Sequence, residues 1–149
     1  MNGMFQYCAI TTPPVMSSIE SIGDDGFAQM FAYNENLTTA PNLSSLESVG
    51  YMGLDYTFSQ CSNITTGSDL KNLTNIGGYG LRGLYSSCYK LEEVTAPNVS
   101  EWNTSRMQSW IEYAGGSAES RTANVPAGVT IPENNDGVPS NWTRVEYTN

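Results

Sequence analysis

The sequence predicts a β-rich solenoid, and three observations carry that prediction. Paired glycines recur every 27 residues: Gly23, Gly50 and Gly77 open the segments GDDGFAQMF, GYMGLDYTF and GGYGLRGLY. Aromatic residues recur in phase with these glycines. Two short segments in each repeat, of the LTT and LESV types, carry apolar residues at every second or third position, which is typical of short strands. In-phase recurrence at such a period indicates a stack of similar units.

Columns of equivalent residues predict the core. Neighbouring strands lie about 4.8 Å apart, so side chains one repeat apart are expected to touch and to form internal ladders. We expect an aromatic ladder and three aliphatic ones, with short helical turns around 30–31 and 57–58. The aromatic ladder is Phe5, Phe31, Phe58 and Tyr85; the aliphatic ladders are Leu37, Ile64 and Leu91; Ile19, Leu46 and Leu73; and Ile22, Val49 and Ile76.

The phase of the repeat divides the chain into an array over residues 1–124 and a C-terminal cap over 125–149. The cap is predicted where the VPAGVTIP tail leaves the repeat, and it would cover the last open unit. No equivalent precedes the first repeat, so unpaired edges at the N-terminal face are expected to dock on another chain or another copy. The predicted array comprises about four to five coils of 26–27 residues, at about 4–30, 31–57, 58–84 and 85–110, with a degenerate coil at 111–124.

Two kinds of segment resemble a known family. The segments TFSQCSNITT and LYSSCYKLEEV resemble the BspA-type leucine-rich repeat, in which an aromatic-x-x-Cys turn precedes an aliphatic strand. The ending VPAGVTIP…GVPSNWTRVEY is similar to the ends of such arrays in gut Bacteroidales proteins and their phages. The spacing of 26–27 exceeds the shortest family repeats, and Asn34 interrupts the cysteine column. The resemblance implies adhesion and display rather than chemistry.

The function predicted from this resemblance is a non-catalytic interaction module. The favoured version is a structural component of a phage virion (a fibre, tail or capsid decoration) that binds other virion proteins or the host surface. The alternative is a bacterial surface adhesin, or a fragment of one, that binds a host protein or glycan. The N-terminus lacks the basic and apolar regions of a signal peptide, which favours a virion assembled in the host cytoplasm over an extracellular or cell-surface location.

Charge and hydropathy exclude two classes of partner. A formal net charge of −9 repels the phosphate backbone, so we expect no nucleic-acid binding. No stretch reaches the roughly 18 apolar residues that cross a bilayer, so we expect no membrane insertion.

No pattern predicts catalysis, a cofactor or a metal. The chain has no histidine, which removes the commonest general base and metal ligand. The carboxylate pairs 24–25 and 92–93 are adjacent in sequence, and adjacent strand residues face opposite sides. The oxygen-rich loop 134–137 lacks the spacing of a calcium loop and is interpreted as a turn.

The three cysteines share one repeat column. Cys8, Cys61 and Cys88 are therefore interpreted as buried thiols. Cys61 and Cys88 fall in adjacent coils, near enough for a disulfide, so that alternative stays open. An odd count favours the reduced form.

Exposed tyrosines are the predicted partner contacts. Tyr51 and Tyr79 lie between paired glycines and are expected to project at corners. Exposed tyrosine offers contact area at low entropic cost, although an ordinary covering of the flank is an equal interpretation. The predicted contact residues are Tyr33, Tyr51, Tyr79 and Tyr89, with Met4 and Phe5 at the N-terminal face.

Overall fold

The computed structural model describes residues 2–148, which form six short strands joined by turns. The strands pair into two separate three-stranded sheets, β1-β2-β3 and β4-β5-β6, and every pair is parallel. No helix occurs within residues 2–148, so no helical segment there reaches across a membrane. The strands are β1 (Ser21–Ile22), β2 (Ser48–Val49), β3 (Asn75–Ile76), β4 (Glu93–Thr95), β5 (Thr122–Pro126) and β6 (Thr143–Tyr147).

The predicted fold class, a solenoid of four to five coils with helical turns, is wrong. The described residues are strand and turn only, and strand pairing divides into two small sheets. The first sheet ends at β3 because the equivalent part of the next repeat, 100–106, is irregular. The second sheet leaves the 27-residue period: Glu93 pairs with Thr122 and Thr122 pairs with Thr143, separations of 29 and 21 residues.

The segments expected to be helical turns are runs of consecutive β-turns. In the run over residues 23–34, alternate N–H groups donate to the carbonyl three residues back, as Met30 does to Phe27 at 3.0 Å. The backbone φ is positive at every fourth residue, with values of 51° at Asp25, 54° at Gln29 and 62° at Tyr33. A right-handed helix needs negative φ throughout, so this pattern excludes it.

The intervening N–H groups of the turn runs join neighbouring repeats. The N–H of Phe31 donates to the carbonyl of Thr57 at 3.0 Å, and the N–H of Phe58 donates to the carbonyl of Leu84 at 3.0 Å. Throughout these runs each repeat donates and the next one accepts. Equivalent side chains therefore lie above one another.

The aromatic ladder predicted for the core is present. Ring centroids lie 5.5 Å apart for Phe5 and Phe31, 5.6 Å for Phe31 and Phe58, and 5.5 Å for Phe58 and Tyr85, all stacked. Offset stacking adds to the free energy of burying the rings. The expected aliphatic columns are buried with them, apart from Ile19, which is partly exposed at the first repeat.

The C-terminal residues pack over the last repeat. Trp110 is fully buried against Trp102, and its indole N–H donates to the carbonyl of Gly137 at 2.6 Å. Strand β5 runs across the predicted boundary between 124 and 125, so the predicted array and the predicted cap would share a strand.

Within residues 2–15, backbone hydrogen bonds to the next repeat come only from the turn run 2–8. Phe5 and Tyr7 donate to the carbonyls of Met30 and Ala32 at 2.9 and 3.1 Å. Residues 9–15 belong to no strand or bridge, and Val15 is 93% exposed. Two consecutive prolines in this segment lack the N–H that pairing needs.

Candidate functional site

Successive turn runs together form one face of the molecule, the turn face, comprising residues 2–8, 23–34, 50–61, 77–88 and 105–114. Among the described residues eleven non-glycine positions have positive φ, and all of them lie on this face. Positive φ is uncommon for non-glycine residues, and concentrated backbone strain is characteristic of functional surfaces. The strained positions include two columns four residues apart: Gln29 and Tyr56, which continue to Gly83, and Tyr33, Gln60 and Ser87.

A groove of about 320 Å³ runs between these two columns. Its floor is a third column of small residues, Ala32, Ser59 and Ser86, each one repeat from the next. The groove thus follows the direction in which the repeats stack, over about 10 Å at roughly 4.8 Å per repeat. Its walls are Gln29 and Tyr56 on one side and Tyr33, Gln60 and Ser87 on the other, with Gln6 at the first-repeat end.

Differences in side-chain size along the columns create the groove. In one column the side chains become smaller from repeat to repeat, from Tyr33 to Gln60 and then to Ser87. The smaller side chains leave space above the floor. In the other column Gly83 has φ of +57°, and a Cβ there would overlap the ring of Tyr56. The missing side chain therefore allows the Tyr56 ring to lie across the next repeat.

An ion pair between Asp55 and Arg82 lies against the ring of Tyr56. The Arg82 guanidinium donates to both carboxylate oxygens of Asp55 at 2.7 and 3.0 Å, and the Asp55 side chain is only 8% exposed. These hydrogen bonds raise the pKa of Arg82. The same guanidinium lies 5.5 Å from the ring centroid of Tyr56 and 5.0 Å from that of Tyr79, so the pair holds two tyrosines by cation–π contact.

The predicted contact tyrosines have different surroundings. Tyr33 lines the groove and stacks on Tyr7 at 4.4 Å. Tyr51 and Tyr79 meet edge to face at 6.1 Å on the same face. Tyr89 is 47% exposed beside Gly116 and is not part of the groove.

Met4 and Phe5 lie at the exposed end of the turn face. Met4 is 52% exposed, whereas Phe5 packs on Phe31. Within residues 2–148 no N–H donates to the carbonyl oxygens of Met4 and Gln6. The equivalent carbonyls in the next turn run, those of Met30 and Ala32, do accept hydrogen bonds. The carbonyl oxygens of Met4 and Gln6 therefore remain available as hydrogen-bond acceptors within residues 2–148.

Sequence reasoning missed four residues that shape the site: Gln29, Tyr56, Gln60 and Arg82. The available signal for the groove is the 27-residue alignment of Gln29, Tyr56 and Gly83 as one column. A glycine one repeat after a large aromatic residue in such a column indicates that the ring lies where the side chain of the later residue would otherwise be.

The expectation of buried thiols holds for two cysteines and is wrong for Cys8, which is exposed. The thiols of Cys61 and Cys88 are free, and each donates to a phenylalanine carbonyl of the preceding repeat at 3.1 Å. Burial raises the pKa of Cys61 to about 11, which disfavours its thiolate. Asn34 fills the same column with amide hydrogen bonds to Phe5 at 2.6 Å and to Phe31 at 2.8 Å.

Comparisons with protein-family models, curated proteins and solved structures found no match to this chain. They assign it no family. The resemblance to BspA-type repeats stays a prediction from the quoted segments.

Proposed function

We propose that this chain is a non-catalytic display module, which docks through its N-terminal edge and presents its turn face to a partner. In the favoured version it is a structural component of a phage virion. The observation that carries the proposal is the concentration on a single face of tyrosine and glutamine residues with positive φ, all of them exposed or partly exposed. Such residues are typical of contact surfaces and have no role in the core.

The rigidity of the turn face supports a role in recognition. Alternate N–H groups bond within the run and the others bond to the next repeat, so the backbone is held in two directions. The Asp55–Arg82 pair then fixes Tyr56 and Tyr79. A face ordered before binding loses less conformational entropy when a partner arrives.

The N-terminal edge supports docking on another virion protein or on another copy. It combines the exposed Met4 side chain with the unpaired carbonyls of Met4 and Gln6. An edge made of acceptors needs a partner that offers N–H donors. Two copies meeting symmetrically through these carbonyls would place acceptor against acceptor, so the partner surface must differ from this edge.

Gradient sedimentation of material from cells that make the chain tests the virion version. Immunoblotting of the fractions should find the chain with DNA-containing particles, and immunogold labelling should place it on them. Recovery only in the cell-surface fraction would instead support the adhesin version. Recovery as a free monomer in both the particle and surface experiments would contradict display in either form.

A further inference from the structure

We propose that the groove between Tyr33 and Tyr56 binds a short neutral saccharide. This inference rests on the display role proposed above, for which it names the class of ligand. It follows from the shape, the polarity and the charge of the groove.

The shape of the groove suits a linear ligand. The floor column of Ala32, Ser59 and Ser86 extends over three repeats between the two wall columns, and the volume is about 320 Å³. This volume lies at the lower end of small-molecule sites, which begin at about 300 Å³. A saccharide of one or two rings would lie along the floor, whereas a protein surface needs a wider apolar core to bind.

The polar groups match vicinal hydroxyls. The amides of Gln29 and Gln60 stand on opposite walls, and each offers both donors and an acceptor. The hydroxyls of Ser59, Ser86 and Ser87 add groups that donate or accept. The rings of Tyr33 and Tyr56 supply apolar surface for the C–H face of a sugar ring.

Charge selects a neutral ligand. No charged side chain is among the residues that line the groove, and the guanidinium beside it is bound to Asp55. With a net charge of −9 the chain repels sialylated, sulfated or phosphorylated glycans. Neutral hexoses and pentoses remain as ligands that the groove can bind.

Saturation-transfer NMR and calorimetry on the full chain test the inference with cello-, manno-, malto- and xylo-oligosaccharides, beside sialyllactose and a heparin disaccharide. We expect at least one neutral series to bind with a Kd on the order of 1 mM, because an open site with few anchoring groups binds weakly. The acidic sugars should not bind.

Variants locate the binding. Gln60→Ala and Tyr56→Ala should each weaken binding at least about tenfold. Tyr113→Ala is the matched control, because Tyr113 belongs to the column of Tyr33, has positive φ and is 66% exposed, but lies outside the groove. Gln60 is an exposed residue, so its variant keeps the test valid if Tyr56→Ala fails to fold.

Three results would overturn the inference: no neutral sugar bound at about 10 mM, tighter binding of the acidic sugars, or equal losses for Gln60→Ala and Tyr113→Ala. Particle sedimentation reports on docking and is independent of the groove. Failure to bind sugar while the chain still sediments with particles would therefore reject the ligand class and leave the display role standing.

Discussion

The ring of Tyr56 occupies the space in which a side chain at Gly83 would lie, one repeat further along the same column. This relationship opens one wall of the groove and aligns the ring with the guanidinium of Arg82. A single glycine thus joins the backbone strain of the turn face to the geometry of the proposed binding site.

Gly83→Ala should destabilise the protein and displace Tyr56. The new methyl group would overlap the ring, and alanine is strained at φ of +57°. We expect a loss of about 2–4 kcal/mol in the free energy of unfolding, measured by urea denaturation.

Gly128→Ala provides the control, since Gly128 has φ of +75° but no atom beyond its two chain neighbours lies within 4 Å of the position that an alanine methyl group would take there. It should lose only about 1 kcal/mol, from backbone strain alone. Equal losses at the two glycines would contradict the contact between Tyr56 and residue 83.

The Asp55–Arg82 pair should couple strongly in a double-mutant cycle. We expect Asp55→Asn and Arg82→Gln to show a coupling energy of about 1–3 kcal/mol in urea denaturation, because the carboxylate is nearly buried and the hydrogen bonds are bidentate. The exposed pair Lys71–Asp69, with its charged atoms 3.5 Å apart, is the control and should show little coupling. Comparable values for both pairs would mean that Arg82 does not hold the site.

Replacing a ring in the middle of the aromatic ladder should lower the free energy of unfolding more than replacing a ring at its end. Phe58 is 1% exposed and stacks between two rings, so Phe58→Ala should lower the free energy of unfolding by about 3–5 kcal/mol. Phe5→Ala should cost clearly less, because Phe5 is partly exposed and stacks on one ring only. Thermal and urea unfolding of both variants give the comparison, and the reverse order would contradict the stacking.

Alkaline pH should destabilise the fold. Burial raises the pKa of Cys61 to about 11 and raises the pKa of Tyr85 as well, whereas unfolded thiols and phenols ionise near about pH 8.5 and 10. The folded state therefore holds its protons where the unfolded state releases them, and stability declines as pH rises above about 8.5. Urea midpoints between about pH 7 and 11 measure the decline, which Cys61→Ala should make shallower. An unchanged slope in that variant would show that the thiol does not contribute.

The residue columns were predictable from the sequence because buried positions keep apolar residues, which therefore recur at a constant spacing. Phe31 and Phe58 fall 27 apart in a run of coinciding glycines and aliphatic residues, and their contact is observed. The turn runs were not predictable in the same way. Positions with positive φ are usually glycines, which makes them recognisable in a sequence. Here they are Gln29, Tyr33 and Tyr56, whose backbone conformation is stabilised by hydrogen bonds between repeats.

The division into two sheets was missed for a related reason. The stretch 100–106 is irregular, and the strands near the C-terminus are separated by unequal numbers of residues. The sequence there has no constant repeat length from which strand pairing could be predicted. Tyr51 and Tyr79 were predicted as contacts from their position between glycines, and that role stays a prediction. The place of Tyr56 depends on its contacts with Gly83 and Arg82, which sequence spacing does not show.

Thiol labelling in the assembled state tests the display account most directly. In a Cys8→Ser background the two remaining cysteines are buried, so a maleimide should report only on cysteines introduced as Gln60→Cys or Met4→Cys. The account predicts that residue 60 labels equally in the free chain and in purified particles, while residue 4 labels in the free chain and is protected in particles. Protection of residue 60 together with free labelling of residue 4 in particles would contradict it.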